Sequence, residues 1–265
     1  MSLVPHLVVP HLVTTLRAAG CVFAEDEADL ILAAATTSAE LAELVERRVA
    51  GQPLEHVLGW AEFCGLRIAV DPGVFVPRRR TEFLLAQAGA LTVPGTVVVD
   101  LCCGSGALGA ALAAGVEVEL HAADIDPAAV ACARRNLAGR GAVHAGDLFD
   151  PLPDALRGRV ALLLANVPYV PTASIALLPA EARVHEARVA LDGGPDGLEV
   201  LRRVAGEAPH WLAPGGHLLF ETSERQVASA VRIVTGAGLT ARIAEDEDFE
   251  ATVVIATRNP HAVIR

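Results

Sequence analysis

Lysine is absent from this chain: all 21 basic residues are arginine. That excludes Schiff-base chemistry, a lysine-linked pyridoxal cofactor and a Walker-type phosphate loop, each of which needs a primary amine. Long apolar runs are absent too. Apolar residues make up 52% of the chain and the mean hydropathy is +0.43, yet no run approaches the roughly 18 to 20 residues that span a bilayer. No basic stretch followed by an apolar core and a small-residue cleavage site opens the chain, and Pro5 and Pro10 punctuate its start. No secretory signal or membrane association is therefore read, and a cytoplasmic location is expected.

Cysteine is scarce and scattered. Cys21, Cys64, Cys102, Cys103 and Cys132 are odd in number, and no pair has the gap of two to four residues seen in zinc sites. They are read as reduced, small apolar residues, with no metal. Positive charge is also short. The net charge is −11, with 10 acidic and 4 basic residues up to residue 72 and 22 and 17 beyond it. Neither part carries the basic footprint of a nucleic-acid binder, so nucleic acid is not expected as a partner. No Ser-His-Asp or Cys-His order of a nucleophilic hydrolase is evident.

At 265 residues the chain can hold one large domain with a small companion. Residues 1–52 are expected to be helical. Leu12, Leu16 and Ala19 share a helical face that stops at Gly20, and Glu25-Asp26-Glu27 opens a second helix. Thr37-Ser38-Ala39-Glu40 reads as the capping box of a third. Residues 53–80 form a linker, with a hairpin of Trp60 to Phe63 and Leu66 to Val70 around Cys64-Gly65. From 81 to 265 strands and helices alternate, which predicts a mostly parallel sheet covered on both faces. Strands are expected at 97–100, 116–124, 142–145, 160–166 and 217–221, with 240–244 and 252–257 as an antiparallel edge pair. Pro214-Gly215-Gly216 reads as a turn.

Four strand ends carry chemistry. After the first strand, Gly104, Gly106 and Gly109 have the G-x-G-x-x-G spacing of loops that let a ligand approach the backbone. Eighteen residues after Gly106, Asp124 closes the next strand, where a carboxylate can accept both hydroxyls of a ribose. Asp126 is instead placed to cap the helix that begins at Pro127. Asp147-Leu148 follows the third strand and could bracket a purine ring. The fourth strand, Val160 to Ala165, is continuously apolar and ends in Asn166-Val167-Pro168-Tyr169. The Asn166 amide oxygen and the Val167 carbonyl are two acceptors that can hold an NH2 group. Tyr169, the chain's only tyrosine, can pack on a planar amide or base.

Together these residues resemble the HemK/PrmC family of S-adenosylmethionine-dependent protein-(glutamine-N5) methyltransferases. Gly51-Gln52-Pro53, Gly59 to Gly65 and Val76 to Glu82 are similar to its linker signature, and Leu191 to Leu198 to a further stretch. Five positions depart from it. Val167 replaces the first proline of Asn-Pro-Pro-Tyr, Cys102-Cys103 replace Gly-Thr, Arg80 replaces an acid and Ala187 a proline.

The resemblance implies an α/β fold, a seven-stranded Rossmann-like methyltransferase domain with a small helical substrate-recognition domain and a β-hairpin linker. It implies S-adenosylmethionine as cofactor, with S-adenosylhomocysteine as product. The candidate cofactor residues are Asp100, Cys102, Cys103, Gly104, Ser105, Gly106, Asp124, Ile125, Asp147, Leu148 and Asn166. Asn166, Val167, Pro168 and Tyr169 are the candidate catalytic group, and Arg78, Thr81 and Glu82 the candidate substrate-binding residues. The implied partner is a protein with an exposed glutamine, a translation release factor. The alternatives are an amino-methyltransferase acting on a nucleic-acid base or small natural product, and a cofactor-binding module without turnover.

Overall fold

The computed structural model describes residues 5–261, with side chains from residue 9 onward. The first four and last four residues, which the 1–52 and 81–265 spans include, lie outside the described residues.

Three helices open the chain: α1 (Pro5–Ala18), α2 (Ala24–Ala34) and α3 (Ser38–Val49). Leu12, Leu16, Ala28, Ile31 and Leu41 point inward and form their common core, as the helical spacing requires. Thr37 caps α3, its hydroxyl accepting from the Glu40 N–H at 3.2 Å. The return bond differs from a standard capping box. Glu40 reaches one residue further back, to the N–H and hydroxyl of Thr36 at 2.7 and 2.6 Å. A buried ion pair also ties these helices together. Arg48 donates to both carboxylate oxygens of Glu27, at 2.6 and 3.1 Å, and to Glu181 at 2.6 Å.

A short helix α4 (Leu54–Leu58) precedes the hairpin of β1 (Trp60–Phe63) and β2 (Leu66–Ala69). Cys64 and Gly65 both have positive φ, 49° and 73°, as a two-residue turn between twisted strands demands. Helix α5 (Thr81–Gly89) leads into β3 (Thr96–Leu101), α6 (Ala107–Gly115), β4 (Val118–Asp124), α7 (Pro127–Asn136), β5 (Ala142–Ala145) and β6 (Val160–Ala165). After α8 (Ala180–His185) come α9 (Glu199–Trp211), β7 (Leu212–Thr222), α10 (Val227–Gly236), β8 (Leu239–Asp246) and β9 (Ala251–Arg258). The seven strands lie in the order β5-β4-β3-β6-β7-β9-β8, parallel except for β9, which runs antiparallel to both neighbours.

This is the Rossmann-like sheet expected. Strand β3 shows why it is buried on both sides. Val97, Val99 and Leu101 join the core with Trp211 and Phe220, while Val98 joins the opposite core with Leu84, Leu108 and Leu219. Strand order reverses between β3 and β6, and ligands bind at the carboxyl edge of such a switch point. Among the described residues no helix is long and apolar enough to cross a membrane.

Pro214-Gly215-Gly216 is not a turn. It lies within the continuous strand β7, where the pairing shifts from Val160↔Leu212 to Leu162↔His217. The glycines permit this bulge: Gly215 has φ +80°, and a Cβ on Gly216 would sit 2.7 Å from the Val160 carbonyl oxygen.

Candidate active site

A cavity of about 710 Å³ opens at the carboxyl ends of β3, β4 and β6, walled on its far side by Phe75, Arg78 and the segment from Leu178 to Leu191. That size lies within the roughly 300 to 1,000 Å³ of small-molecule sites. The β3–α6 loop forms its floor. Cys102, Gly104 and Gly106 there have φ of 53°, 55° and 78°. Gly104 carries no side chain to fill the space above it, whereas Cys102 is a non-glycine residue held in the left-handed region. Cys102, Cys103, Gly104 and Ser105 line the cavity. Gly106 does not; it faces α7, and a Cβ on it would lie 3.2 Å from Ala133 and Leu137.

Asp124 ties two strand ends together. Its Oδ2 accepts from the Gly104 N–H at 2.8 Å and its Oδ1 from the Asp126 N–H at 2.9 Å. One bond per oxygen leaves further acceptor capacity on a side chain that lines the cavity. Burial pushes the Asp124 carboxyl up, against the pull of these N–H donors. Asp126 caps α7 by accepting from the Ala128 N–H at 2.9 Å, as its place before Pro127 implies. Ile125, Asp147 and Leu148 also line the cavity, with Asp147 held by Arg203 at 2.6 Å.

Asp100 lies below the loop without exposure to solvent. Its Oδ2 accepts from the Gly109 N–H at 3.1 Å, and its Oδ1 has no partner among the described residues. Burial pushes this carboxyl up from 3.8 to about 7. A raised folded-state pKa means that the folded protein holds the proton more tightly than the unfolded chain. Stability therefore falls as pH climbs through this window. Asp100→Asn removes the titration, so urea unfolding of variant and wild type between pH 4 and 7 should shift steadily in the variant's favour as pH rises. A constant difference would contradict a buried carboxyl with one oxygen unpartnered.

The Asn166-Val167-Pro168-Tyr169 loop leaves β6 on the opposite side of the cavity, and all four residues line it. Val167 is 3% exposed and anchored in the larger core. The loop after it is braced by the Leu191–Leu198 stretch. The Val170 N–H donates to the Leu191 carbonyl at 3.1 Å, the Gly193 N–H to the Val170 carbonyl at 2.9 Å and the Thr172 N–H to the Gly194 carbonyl at 2.9 Å. Gln226 adds a side-chain donor to the Tyr169 carbonyl at 3.0 Å. This bracing and the buried Val167 side chain hold the loop where proline is missing.

The Tyr169 hydroxyl accepts from Arg80 and donates to Glu221 at 3.5 Å. Glu221 is itself buried, paired with Arg80 at 2.6 Å and with the Thr81 hydroxyl at 2.9 Å. Burial, followed by the Glu221 charge, pushes the Tyr169 phenol up to about 12. It therefore stays protonated near neutrality and is no general base. Arg80 and Glu221 were not among the expected site residues, since one stood as a departure and the other as an unmarked strand end.

The three expected substrate-binding residues separate. Arg78 lines the cavity while gripping Glu186 at 2.6 and 2.7 Å, and Thr81 lines it while bound to Glu221. Glu82 turns to the hairpin instead, accepting from the Cys64 N–H at 3.3 Å.

Fold and site geometry place the chain among the Rossmann-like methyltransferases. The family model for the methyltransferase small domain matches residues 65–197. The chain is 38% identical over 199 residues to the release factor glutamine methyltransferase of Geobacter sulfurreducens, covering 74% of this chain and 69% of that one. It is 37% identical over 203 residues to the 4-amino-L-phenylalanine/4-methylamino-L-phenylalanine methyltransferase of Streptomyces pristinaespiralis, covering 73% and 67%. A crystal structure of a methyltransferase from Pyrococcus furiosus shares the fold, with a TM-score of 0.57 at 16% identity over 74% of this chain and 90% of that one. The chain belongs to the release factor glutamine methyltransferase family.

Proposed function

We propose that the protein methylates the side-chain amide nitrogen of a glutamine in a peptide chain release factor, with S-adenosylmethionine as cofactor, in the cytoplasm. The observation that carries this reading is the opening of Asn166 and Val167 onto the same cavity as Asp124 and the β3–α6 loop. The residues present fit the cofactor. The cavity is large enough, Gly104 leaves its floor open, and Asp124 retains acceptor capacity for a ribose. When bound, that cofactor supplies an electrophilic methyl group.

The remaining work falls to the chain. The Asn166 amide oxygen and the Val167 carbonyl accept the two N–H groups of the glutamine side chain and so aim its nitrogen. Fixed acceptors in a pocket shielded by Val167 and Leu191 favour one orientation over the many available in water. The neutral Tyr169 ring, held by Arg80 and Glu221, supports the planar amide. Methylation makes the nitrogen acidic, so its proton leaves without a strong base.

The Streptomyces relative acts on an aromatic amine, which supports a second reading with a small amine as acceptor. Labelled cofactor incubated separately with purified release factor, 4-amino-L-phenylalanine, DNA and RNA discriminates. Label is expected on a release-factor glutamine. Label on the amine or nucleic acid alone overturns the protein reading, and cofactor binding without any transfer leaves only a binding module.

The two neighbouring carboxylates offer an internal contrast. Asp126→Ala should cost about 1 kcal/mol of stability through the lost helix cap while cofactor affinity is kept. Asp124→Ala should weaken S-adenosylhomocysteine binding about tenfold or more, measured by calorimetry. Equal affinities in the two variants would refute the assignment of Asp124 to the ribose.

A further inference from the structure

The last turn of α7 touches two parts of the molecule at once. Cys132 donates its thiol to the Ala69 carbonyl at 2.9 Å, and Arg135 pairs with Asp71 at 2.6 Å, so both hold the linker. Asn136 does more. Its Oδ1 accepts from the Ala69 N–H at 2.9 Å, while its Nδ2 donates to the Ala69 carbonyl at 2.9 Å and to the Ser105 carbonyl at 2.8 Å. Ser105 is 2% exposed and lies between Gly104 and Gly106 in the loop that floors the cavity.

We infer that Asn136 is a positioning residue for the cofactor loop, joining its shape to the docking of the linker hairpin. The inference rests on the reading of that loop as the cofactor's. The loop is held from two sides: Asp124 accepts from the Gly104 N–H, and the Asn136 amide donates a hydrogen bond to the Ser105 carbonyl. A primary amide suits this place because it presents one acceptor and two donors in a plane, and all three are used. A carboxylate has the same outline but no donor, and would set its charge against two carbonyl oxygens. The linker that Asn136 grips continues to Phe75 and Arg78, which wall the acceptor side of the cavity. A displaced linker and a displaced cofactor loop are therefore one event at Asn136.

The test uses the full chain and S-adenosylhomocysteine, with Arg135→Ala as the control that removes the neighbouring Asp71 contact and leaves the Ala69–Asn136–Ser105 bonds in place. Asn136→Asp should raise the calorimetric Kd by roughly tenfold or more, with Arg135→Ala within about twofold of wild type. Amide hydrogen exchange without ligand gives a second reading. The Gly104 to Gly106 N–H groups should exchange roughly tenfold faster in Asn136→Asp and at the wild-type rate in Arg135→Ala. Should Asn136→Asp not fold, Asn136→Ser is held to the same criteria. Unchanged loop exchange in the Asn136 variant, or equal effects in both variants, overturns the inference. A wild-type chain that binds no S-adenosylhomocysteine overturns the functional reading instead, and the exchange experiment still decides the role of Asn136.

Discussion

Asn166→Ala is expected to remove nearly all methyl transfer while the protein stays folded and still binds S-adenosylhomocysteine. The side chain is half-buried at the end of β6, where its loss opens space without collapsing a core. On the proposed reading it supplies one of the two acceptors that orient the amide nitrogen. Loss of one fixed hydrogen-bonding group aimed at a reacting centre lowers kcat by about 10²- to 10³-fold. The Val167 carbonyl survives the substitution, so some orientation remains and the rate should stay above background. Single-turnover transfer of labelled methyl to release factor, beside calorimetric binding of S-adenosylhomocysteine, separates the possibilities. A variant within threefold of wild type would remove Asn166 from the chemistry. A variant that loses cofactor binding as well would move it to the cofactor side of the cavity.

Gly197→Ala is the second large effect, from a residue that supplies no group to the proposed chemistry. Gly197 has φ +75°, and a Cβ there would collide with the Tyr169 carbonyl oxygen and the Gln226 side chain. The left-handed backbone alone costs a non-glycine residue about 1 to 2 kcal/mol, and the collision forces either the brace or the Tyr169 loop to move. A loss of about 2 to 3 kcal/mol, or roughly 5 to 10 °C in Tm, is expected. Methyl transfer should fall more than cofactor binding, because Tyr169 shifts and Asp124 does not. Gly206, inside α9 with open space around it and no positive φ, is the control. Gly206→Ala should stabilise by about 0.5 to 1 kcal/mol and leave transfer unchanged. Similar melting points for the two variants would disprove the strain at Gly197.

Much of the sheet was legible because its signals are local. Val160 to Ala165 is uniformly apolar and ends in turn chemistry, so a central strand and its exit loop could be read together. Asp126 before Pro127 announced its own helix cap. What stayed hidden depends on tertiary contact. Pro214-Gly215-Gly216 has the composition of a turn, and only the nearby Val160 carbonyl explains why a strand needs those glycines. Asn136 reads as one more polar residue in a last helical turn, since nothing in its neighbours reports Ala69 or Ser105. Leu191 to Leu198 could be matched to a family stretch, but its bracing of the loop at Val170 and Thr172 is carried by backbone bonds that leave no side-chain pattern. At the site, the glycine loop, Asp124 and Asn166 were visible as strand ends. Glu221 was not, because a carboxylate becomes part of the site only once β7 lies beside β6 and Arg80 folds over it.

Arg48 has a consequence for how such a protein diversifies. Its guanidinium fastens the small helical unit to Glu27 within it and to Glu181 on the wall of the acceptor side, rather than to either cofactor loop. The helical unit and the wall of the cavity are thus joined through one cation. On the proposed reading, in which the helical unit recognises the protein acceptor, a unit exchanged between relatives would carry that recognition with it, provided that it brings the cation and the wall keeps its carboxylate. That ion pair lies on the acceptor wall, so such an exchange would leave the cofactor loops unchanged.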